Sequence, residues 1–231
     1  MLTMPDPIPL RILHEDDDLV VISKPAGLAV HRSGPSAPGE QFILQLASAQ
    51  TGRYLHPAHR LDRNTSGILC FATTAAMSRA MQERLRADDT TKTYLVLARG
   101  ETPERFESDR PLRTDRGEPR PARTSFTRLA TGSRCSLLET RIFTGRHHQI
   151  RRHLNHLAHH VIGDTTHGKG RINAFFRAEY DLPRMFIHAW RLVIRHPHRD
   201  ETLVLHDPLA PDLRAFLLRL PDFDPAFIAT L

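Results

Sequence analysis

The sequence contains little cysteine, little lysine and no long apolar run. Its two cysteines, Cys70 and Cys135, lie far apart and form no Cys-x-x-Cys pair. This spacing excludes a disulfide framework and a cysteine zinc site, and it predicts a reducing, cytoplasmic compartment. No stretch approaches the roughly 18 consecutive apolar residues that a membrane-spanning helix needs. The N-terminus, MLTMPDPIPL, lacks the basic and apolar regions of a secretory signal. We therefore expect a globular protein that makes no membrane contact.

The positive charge comes almost entirely from arginine and is concentrated in one quarter of the chain. Only three of the 32 basic residues are lysines, and the formal net charge is +6. GC-rich coding would explain the preference for arginine over lysine, but it does not explain the position of the charge. Residues 146–199 carry ten basic and three acidic side chains, a net charge of +7 in this segment alone. Such a segment in an otherwise near-neutral chain indicates a polyanionic partner, with nucleic acid as the main candidate.

Short apolar runs separated by turn residues predict more strands than helices. We expect strands over residues 11–14, 19–22, 68–72, 93–98, 124–129, 136–142, 186–195 and 202–206. Helices are predicted over residues 41–49, 75–87, 147–158 and 211–220, the second of them capped by Thr73 or Thr74. An exposed connection is predicted at 101–121 and an irregular, Gly-rich segment at 163–184. Antiparallel signals outnumber βαβ signals, so the predicted fold class is α+β, with a mixed, mainly antiparallel sheet and flanking helices.

Asp62 is the first candidate for chemistry. It lies just before a cluster of turn residues and has arginines on both sides; in an extended chain Arg60 and Asp62 would point to the same face. One interpretation is a turn or helix-cap residue in a surface loop. The other is a carboxylate that neighbouring guanidinium groups keep ionised, ready to act as a nucleophile or base.

The basic helix predicted at 147–158 gives its two neighbouring arginines different directions. At about 100° per residue its buried stripe consists of Ile150, Leu154 and Leu157. Arg151 flanks this stripe, where it can reach inward to a buried carboxylate. Arg152 faces outward with His148 and Asn155, toward solvent or phosphate. The alternative is a basic helix that is simply solvated.

Six histidines in the same region raise the question of a metal site. They are His147, His148, His153, His156, His159 and His160. The sequence has no His-Glu-x-x-His motif, no acidic residue falls between Arg146 and Val161, and the histidines spread around the helix. We therefore predict no metal and favour an RNA-facing or solvated basic surface. A histidine-based metallohydrolase is the function that this prediction rejects.

Lys92 and Tyr94 share one face of a predicted strand. A tyrosine packed into the sheet is one interpretation. The alternative is a ring that stacks on a flat base, a contact worth about 1–3 kcal/mol per base. Further along the chain, residues 163–168 are Gly-rich but lack the Gly-Lys-Ser/Thr ending of a phosphate-binding loop, so nucleotide hydrolysis is not predicted.

Several of these segments form a recognisable series. In chain order they are Ile22-Ser23-Lys24-Pro25-Ala26-Gly27, His59-Arg60-Leu61-Asp62 with Thr65-Ser66-Gly67, Lys92-x-Tyr94, Gly145-Arg146-x-His148-Gln149-Ile150-Arg151, Gly163-Asp164 and Ile187-His188-Ala189. The series resembles the RluA-type family of pseudouridine synthases, over about residues 10–210. Within that family it is most similar to the bacterial tRNA pseudouridine-65 synthases.

The resemblance implies an isomerase that converts uridine in RNA to pseudouridine without a cofactor or metal. Asp62 would be its essential catalytic group, and Arg151 the ion-pair partner of Asp62. Tyr94 would pack against the target base and assist proton removal from C5. RNA contacts are expected from Arg60, Lys92, Arg146, His148, Gln149 and Arg152.

The resemblance also implies one catalytic domain over residues 10–231, behind an N-terminal extension of residues 1–9 and without an S4 RNA-binding module. The catalytic domain itself would then hold the RNA. The expected substrate is tRNA, and ribosomal RNA is the alternative. A non-catalytic RNA-binding protein on the same fold is the alternative from another functional class. We expect a monomer, because no long exposed apolar patch is evident.

Overall fold

Strands make up most of the regular structure in the computed structural model, which describes residues 9–32 and 39–231. The strands are β1 (Arg11–Glu15), β2 (Leu19–Lys24), β3 (His56–Pro57), β4 (Ser66–Ala72), β5 (Thr91–Arg99), β6 (Arg105–Ser108), β7 (Leu112–Arg113), β8 (Pro119–Arg120), β9 (Thr124–Gly132), β10 (Cys135–Ile142), β11 (Ile187–Arg195) and β12 (Thr202–His206). Residues 1–8 of the predicted N-terminal extension lie outside the described part of the chain.

The helices are short and flank the strands. They are α1 (Ile43–Thr51), α2 (Ala75–Arg84), α3 (Gln149–His156), α4 (Gly170–Tyr180), α5 (Pro211–Leu217) and α6 (Pro225–Ala229). The capping prediction for α2 is confirmed at Thr74, whose side chain accepts a hydrogen bond from the Met77 N–H at 3.1 Å. Within residues 9–32 and 39–231, no helix is both long enough and apolar enough to cross a membrane.

Ten of the strands form one mixed sheet, which confirms the predicted α+β class. Their order is β1-β2-β4-β11-β5-β10-β9-β6, with β12 beside β11 and β3 beside β4, while β7 and β8 form a separate hairpin. In the described chain every strand pairing is antiparallel except that of β4 with β11, which is parallel. Since parallel strands begin at the same edge of a sheet, the loop before β4 and the segment before β11 lie side by side.

Three apolar clusters hold the helices against this sheet. The first lies between α1, α2 and strands β1, β2 and β4, where Met77 and Met81 of α2 are fully buried. The second packs the C-terminal helices on the sheet through residues such as Phe176 and Phe216. In the third, Ile150 and Leu154 of α3 are buried against β5, β9 and β10. The third cluster therefore fixes the position of the basic helix relative to the sheet centre.

Two segments that the sequence predicts to be irregular contain helix or strand. The prediction of an irregular segment at 163–184 is wrong for α4, which begins at Gly170 without a side-chain cap and is held by the buried Phe176. Its sequence lacks a capping residue, although Ile172, Phe176 and Tyr180 stand at helical spacing and pack in the second cluster. The exposed connection at 101–121 is also partly wrong, because β6 pairs with β9 and the β7–β8 hairpin follows it.

The predicted stripe of α3 is wrong at its last member. Leu157 is 37% exposed, and the buried neighbour of Leu154 is instead His153. At the other end of α3, His148 has a left-handed backbone (φ 52°) and the helix begins only at Gln149. The helix also ends at His156, one residue before Leu157.

Gly67 is needed where β4 meets β11. Its φ is +112°, and a Cβ at this position would lie 2.3 Å from the Ala189 carbonyl oxygen. We expect Gly67→Ala to lower the free energy of unfolding by about 3 kcal/mol, because it combines a backbone clash with a disfavoured φ. Urea unfolding measures this change. The control is Gly170→Ala, at a glycine with open space around it, which should leave stability unchanged or raise it by up to about 1 kcal/mol.

Candidate active site

Asp62 lies in the loop between β3 and β4 and faces a cavity. The Thr65 N–H donates to the Asp62 carbonyl at 3.0 Å, which closes the turn. The carboxylate itself is 21% exposed and accepts a hydrogen bond from Arg151 Nη1 at 2.9 Å. Asp62 is therefore a turn residue by position, but its side chain caps no backbone N–H in the described chain. Of the two interpretations of Asp62, the geometry favours a carboxylate oriented by a guanidinium group.

Arg151 holds two carboxylates at once. Besides Asp62, it donates from Nε and Nη2 to both oxygens of Asp164, each at 2.8 Å. Arg151 is 7% exposed and Asp164 is 1% exposed. Burial alone would raise the pKa of Asp164, but the hydrogen bonds and charge of Arg151 lower it. The inward direction that the helical wheel predicts for Arg151 is thus what the structure shows.

Asp164 anchors Arg151, a role that its sequence context does not reveal. Its Oδ1 also accepts the backbone N–H groups of Thr166 and His167, at 2.8 and 3.0 Å. Asn173 of α4 donates its amide to the Asp164 carbonyl at 2.8 Å and accepts the Gly163 N–H at 2.9 Å. The Gly-Asp dipeptide was the available signal. Its partner lies 13 residues earlier, and no local pattern connects the two.

Lys24 forms hydrogen bonds with the backbone of the Asp62 loop. It is fully buried, and its Nζ donates to the carbonyls of Pro25, Arg63 and Thr65 at 2.8, 3.0 and 2.9 Å. Burial, followed by the nearby charge of Arg184, lowers the pKa of Lys24 to about 7. Three carbonyl acceptors match the three N–H donors of the ammonium form. A lysine that closes an otherwise apolar strand was the signal in the sequence.

We expect Lys24→Met to lower the free energy of unfolding by about 2–4 kcal/mol, because three carbonyls lose a buried donor. Chemical denaturation followed by circular dichroism measures this change. Lys169→Met, at an exposed lysine without a side-chain cap bond, serves as the control and should stay within about 0.5 kcal/mol of the wild type. Equal stabilities for the two variants would mean that the three hydrogen bonds contribute nothing.

A cavity of about 700 Å³ opens beside Asp62 and contains Tyr94 and Lys92 in its lining. Both residues project from the same face of β5, as predicted. Burial, followed by the charge of Asp62, raises the pKa of Tyr94, so its phenol stays protonated. Lys92 donates to the Leu85 carbonyl at 2.5 Å, and burial, followed by Arg141 and Arg86, lowers its pKa to about 8. A second cavity of about 280 Å³ adjoins Asp62 on its other side.

Arg60, Arg146 and His148 line the larger cavity as well. Arg60 and Arg146 are exposed, and Arg146 Nε donates to the Pro121 carbonyl at 3.0 Å. The outward direction predicted for His148 is wrong. Its left-handed backbone turns the ring inward, so that Nε2 lies 3.8 Å from Asp62 Oδ1 and Nδ1 lies 3.0 Å from His167 Nε2. Burial lowers the pKa of His148 to about 4, so this ring is neutral at pH 7.

Gln149 and Arg152 form hydrogen bonds with the segments that surround the cavity. Gln149 is 4% exposed; its amide oxygen accepts from Thr144 and from the Arg146 N–H, and its amide nitrogen donates to Arg123 and Thr124. These bonds give Gln149 a loop-positioning role, and the RNA contact that the resemblance implies for it stays a prediction, since Gln149 also lines the larger cavity. Arg152 is half-buried and donates to the Arg113 carbonyl of β7 at 3.0 Å, which ties α3 to the hairpin.

Asp16, Asp18 and His196 place possible metal ligands within 4.8 Å of one another, away from this cavity. His196 Nδ1 accepts the N–H groups of His198 and Arg199, at 3.2 and 3.1 Å. His196 Nε2 lies 3.4 Å from Asp16 Oδ2 and makes no hydrogen bond within the described residues. Arg199 Nη1 lies 3.3 Å from the same carboxylate. The Arg199 guanidinium already lies against Asp16, so the cluster is a poor match for a further cation.

Comparison with known proteins gives consistent matches over most of the chain. A family model described as RNA pseudouridylate synthase matches residues 18–156. The tRNA pseudouridine synthase C of Vibrio vulnificus (strain CMCP6) is 35% identical over 218 residues, which are 85% of this chain and 89% of that protein. The tRNA pseudouridine synthase C of Haemophilus ducreyi (strain 35000HP / ATCC 700724) is 37% identical over 209 residues, 81% and 86% of the two chains.

The fold is similar to solved structures as well. Human RNA Pseudouridylate Synthase Domain Containing 4 superimposes with a TM-score of 0.75 and 26% sequence identity, covering 93% of this chain and 94% of that one. Human RNA Pseudouridylate Synthase Domain Containing 1 gives a TM-score of 0.70 at 26% identity, with 90% and 87% coverage.

Proposed function

The chain belongs to the RNA pseudouridylate synthase family and is an RNA pseudouridine synthase, an isomerase; from this premise we propose that its substrate is a tRNA and that Asp62 is its catalytic carboxylate. The observation that carries the catalytic part is the Asp62 carboxylate, held at 2.9 Å by a buried arginine at the edge of a large cavity. The names of the relatives carry the tRNA part, and the resemblance to the pseudouridine-65 branch directs the proposal to the T-stem region.

The reaction rearranges one nucleoside and exchanges one proton. The bond between N1 of uracil and C1′ of ribose breaks, the uracil turns, and C5 bonds to C1′. The proton on C5 leaves and N1 gains a proton, so no atom is gained or lost overall. The chain must therefore supply a group that attacks or deprotonates the nucleoside, a surface that holds the detached uracil, and a route for one proton.

The described site offers a residue for each of these tasks. Asp62 is the nucleophile or base, and Arg151 sets its direction by a charge-assisted hydrogen bond. Tyr94, in the lining of the same cavity, is the surface for the uracil ring and assists removal of the C5 proton. The site needs a flipped-out nucleotide, and leaving the stack costs a few kcal/mol.

Basic groups around the cavity support an RNA ligand. The lining contains one carboxylate, Asp62, among arginines and a lysine that include Arg60, Lys92 and Arg146. The adjoining β7–β8 hairpin adds exposed arginines at 113 and 120 beside α3. Phosphate contacts of this kind offset the cost of base flipping and make binding dependent on salt. Asp62 meets Arg151 and Tyr94 lines the same cavity within a single chain, and we propose that the monomer is active.

The decisive experiment is pseudouridine mapping of total RNA from cells with and without this gene. We expect one pseudouridine in the T-stem of tRNA, at position 65, to disappear with the gene and to return when the wild-type gene is restored. Loss of a ribosomal RNA pseudouridine instead would move the substrate to rRNA. If no pseudouridine changes and the purified protein isomerises no RNA, the proposed activity is wrong.

A further inference from the structure

The guanidinium group of Arg184 joins the Asp62 loop to helix α5. Its Nη1 donates to the Asn64 carbonyl at 3.1 Å, and its Nη2 donates to the Ser66 hydroxyl at 2.9 Å. On its other side it donates from Nε and Nη2 to both oxygens of Asp212, at 2.6 and 3.0 Å. Burial alone would raise the pKa of Asp212, but the hydrogen bonds from Arg184 lower it. Arg184 thus links Asn64, which lies 120 residues before it in the sequence, to Asp212, which lies 28 residues after it.

The Ser66 hydroxyl between Arg184 and His188 has a defined direction. His188 Nε2 lies 2.9 Å from the Asp207 carbonyl, which can only accept, so this nitrogen carries the proton. Burial, followed by the charge of Arg184, lowers the pKa of His188 to about 3, and the ring is neutral. Its Nδ1 then accepts the Ser66 hydroxyl proton at 2.9 Å. Ser66 accepts from Arg184 and donates to His188, and the first residue of β4 is fixed on both sides.

The segment from Arg184 to Ala189 also contacts the loop that carries Asp164. A Cβ on Gly163, which precedes Asp164, would lie 2.4 Å from the Arg184 carbonyl oxygen, so the two backbones are in direct contact there. The Phe186 N–H donates to the Ile162 carbonyl at 2.9 Å. The loop that carries Asp62 and the loop that carries Asp164 therefore rest on the same short segment. Arg151 bridges the two carboxylates above it.

We propose that Arg184 is a positioning residue for the isomerisation: by binding the Asn64 carbonyl, the Ser66 hydroxyl and Asp212 together, it sets the register between the Asp62 loop and the Asp164 loop, and so the direction of the Asp62 carboxylate. This inference rests on the proposed catalytic role of Asp62. Arg184 lines neither cavity, so it acts through the loop and not through contact with the RNA. Loss of Arg184 should therefore lower the rate of the chemical step, because a displacement of about 1 Å at a reacting group can lower that rate by 10²-fold.

The test compares Arg184→Met, Arg184→Lys and Asp212→Asn with wild type, using a transcript of the RNA that the wild type modifies. We expect Arg184→Met to lower kcat, normalised to folded protein, by about 10- to 100-fold, with KM within about threefold. Arg184→Lys should recover part of the loss because it keeps a charge opposite Asp212. Asp212→Asn should show a smaller fall of the same kind. Arg195→Met, which breaks an exposed ion pair with Asp200, is the matched control and should leave kcat and KM unchanged.

A second readout needs no substrate and separates this inference from the proposed function. The Thr65 N–H, which donates to the Asp62 carbonyl, should exchange with deuterium about 10-fold faster in Arg184→Met and at the wild-type rate in Arg195→Met. If the wild type isomerises no RNA but this difference appears, the proposed activity fails while the loop register set by Arg184 stands. Lower thermal stability with unchanged kcat and unchanged exchange would overturn the inference, and so would a rise in KM alone.

Discussion

Replacing Asp62 by asparagine is expected to lower kcat for pseudouridine formation by about four orders of magnitude, the upper end of what one positioned acid–base group supplies. The amide has nearly the same shape as the carboxylate, and its oxygen can still accept the hydrogen bond that Arg151 Nη1 donates at 2.9 Å. It carries no charge and is neither a nucleophile nor a base of useful strength. The loop geometry should therefore persist while the chemistry stops.

Tritium release from tRNA labelled at C5 of uridine measures the loss, and filter binding of the same tRNA measures affinity. Affinity should stay within about threefold, because the phosphate contacts come from basic residues that the substitution leaves intact. Asp115→Asn provides the matched control, since this aspartate side chain is 98% exposed, and its activity should equal that of the wild type. Full tritium release by the Asp62→Asn variant would show that the reaction proceeds without this carboxylate.

The sheet and the family were predictable from sequence because both depend on local pattern. Alternating and continuous apolar runs located the main strands within a few residues, and β12 matches its predicted span of 202–206. The family prediction is confirmed by the match over residues 18–156. The prediction missed α4 because the helix has no side-chain cap and follows a Gly-rich stretch, although Ile172, Phe176 and Tyr180 keep a helical period.

The parts of the candidate site and its central ion pair were predictable, but its other connections were not. The helical wheel pointed Arg151 inward, and the Asp62 turn was recognisable from its residue types. The resemblance implies the ion pair between Arg151 and Asp62, and the structure contains it. That the same guanidinium also binds Asp164, 13 residues away, follows only from the fold. The same holds for Lys24, whose acceptors at Arg63 and Thr65 lie 39 and 41 residues away. The inward turn of His148 was missed because its left-handed backbone has no signature in the sequence.

Arg151→Met is expected to lower both stability and activity, because it leaves two carboxylates without their shared partner. Asp164 is 1% exposed and would keep only two backbone N–H donors, so the free energy of unfolding should fall by about 3–5 kcal/mol. Asp62 would lose the donor that orients it, and kcat should fall by about 10²- to 10³-fold. Urea unfolding and single-turnover pseudouridine formation measure the two effects. Arg152→Met is the matched control, since among the described residues this neighbouring arginine bonds backbone carbonyls alone, and its stability should change by less than about 1 kcal/mol.

A double variant separates the two consequences of losing Arg151. Adding Asp164→Asn to Arg151→Met removes the unpaired buried charge, so we expect it to restore about half of the lost stability. Activity should not return, because Asp62 still lacks its guanidinium. If stability and kcat recovered together, the main role of Arg151 would be to neutralise Asp164, and Asp62 would need no orienting partner. If Arg151→Met alone kept wild-type stability and rate, the two ion pairs of Arg151 would contribute nothing to the folded enzyme, and its bond to Asp62 would not be the source of the reactive geometry.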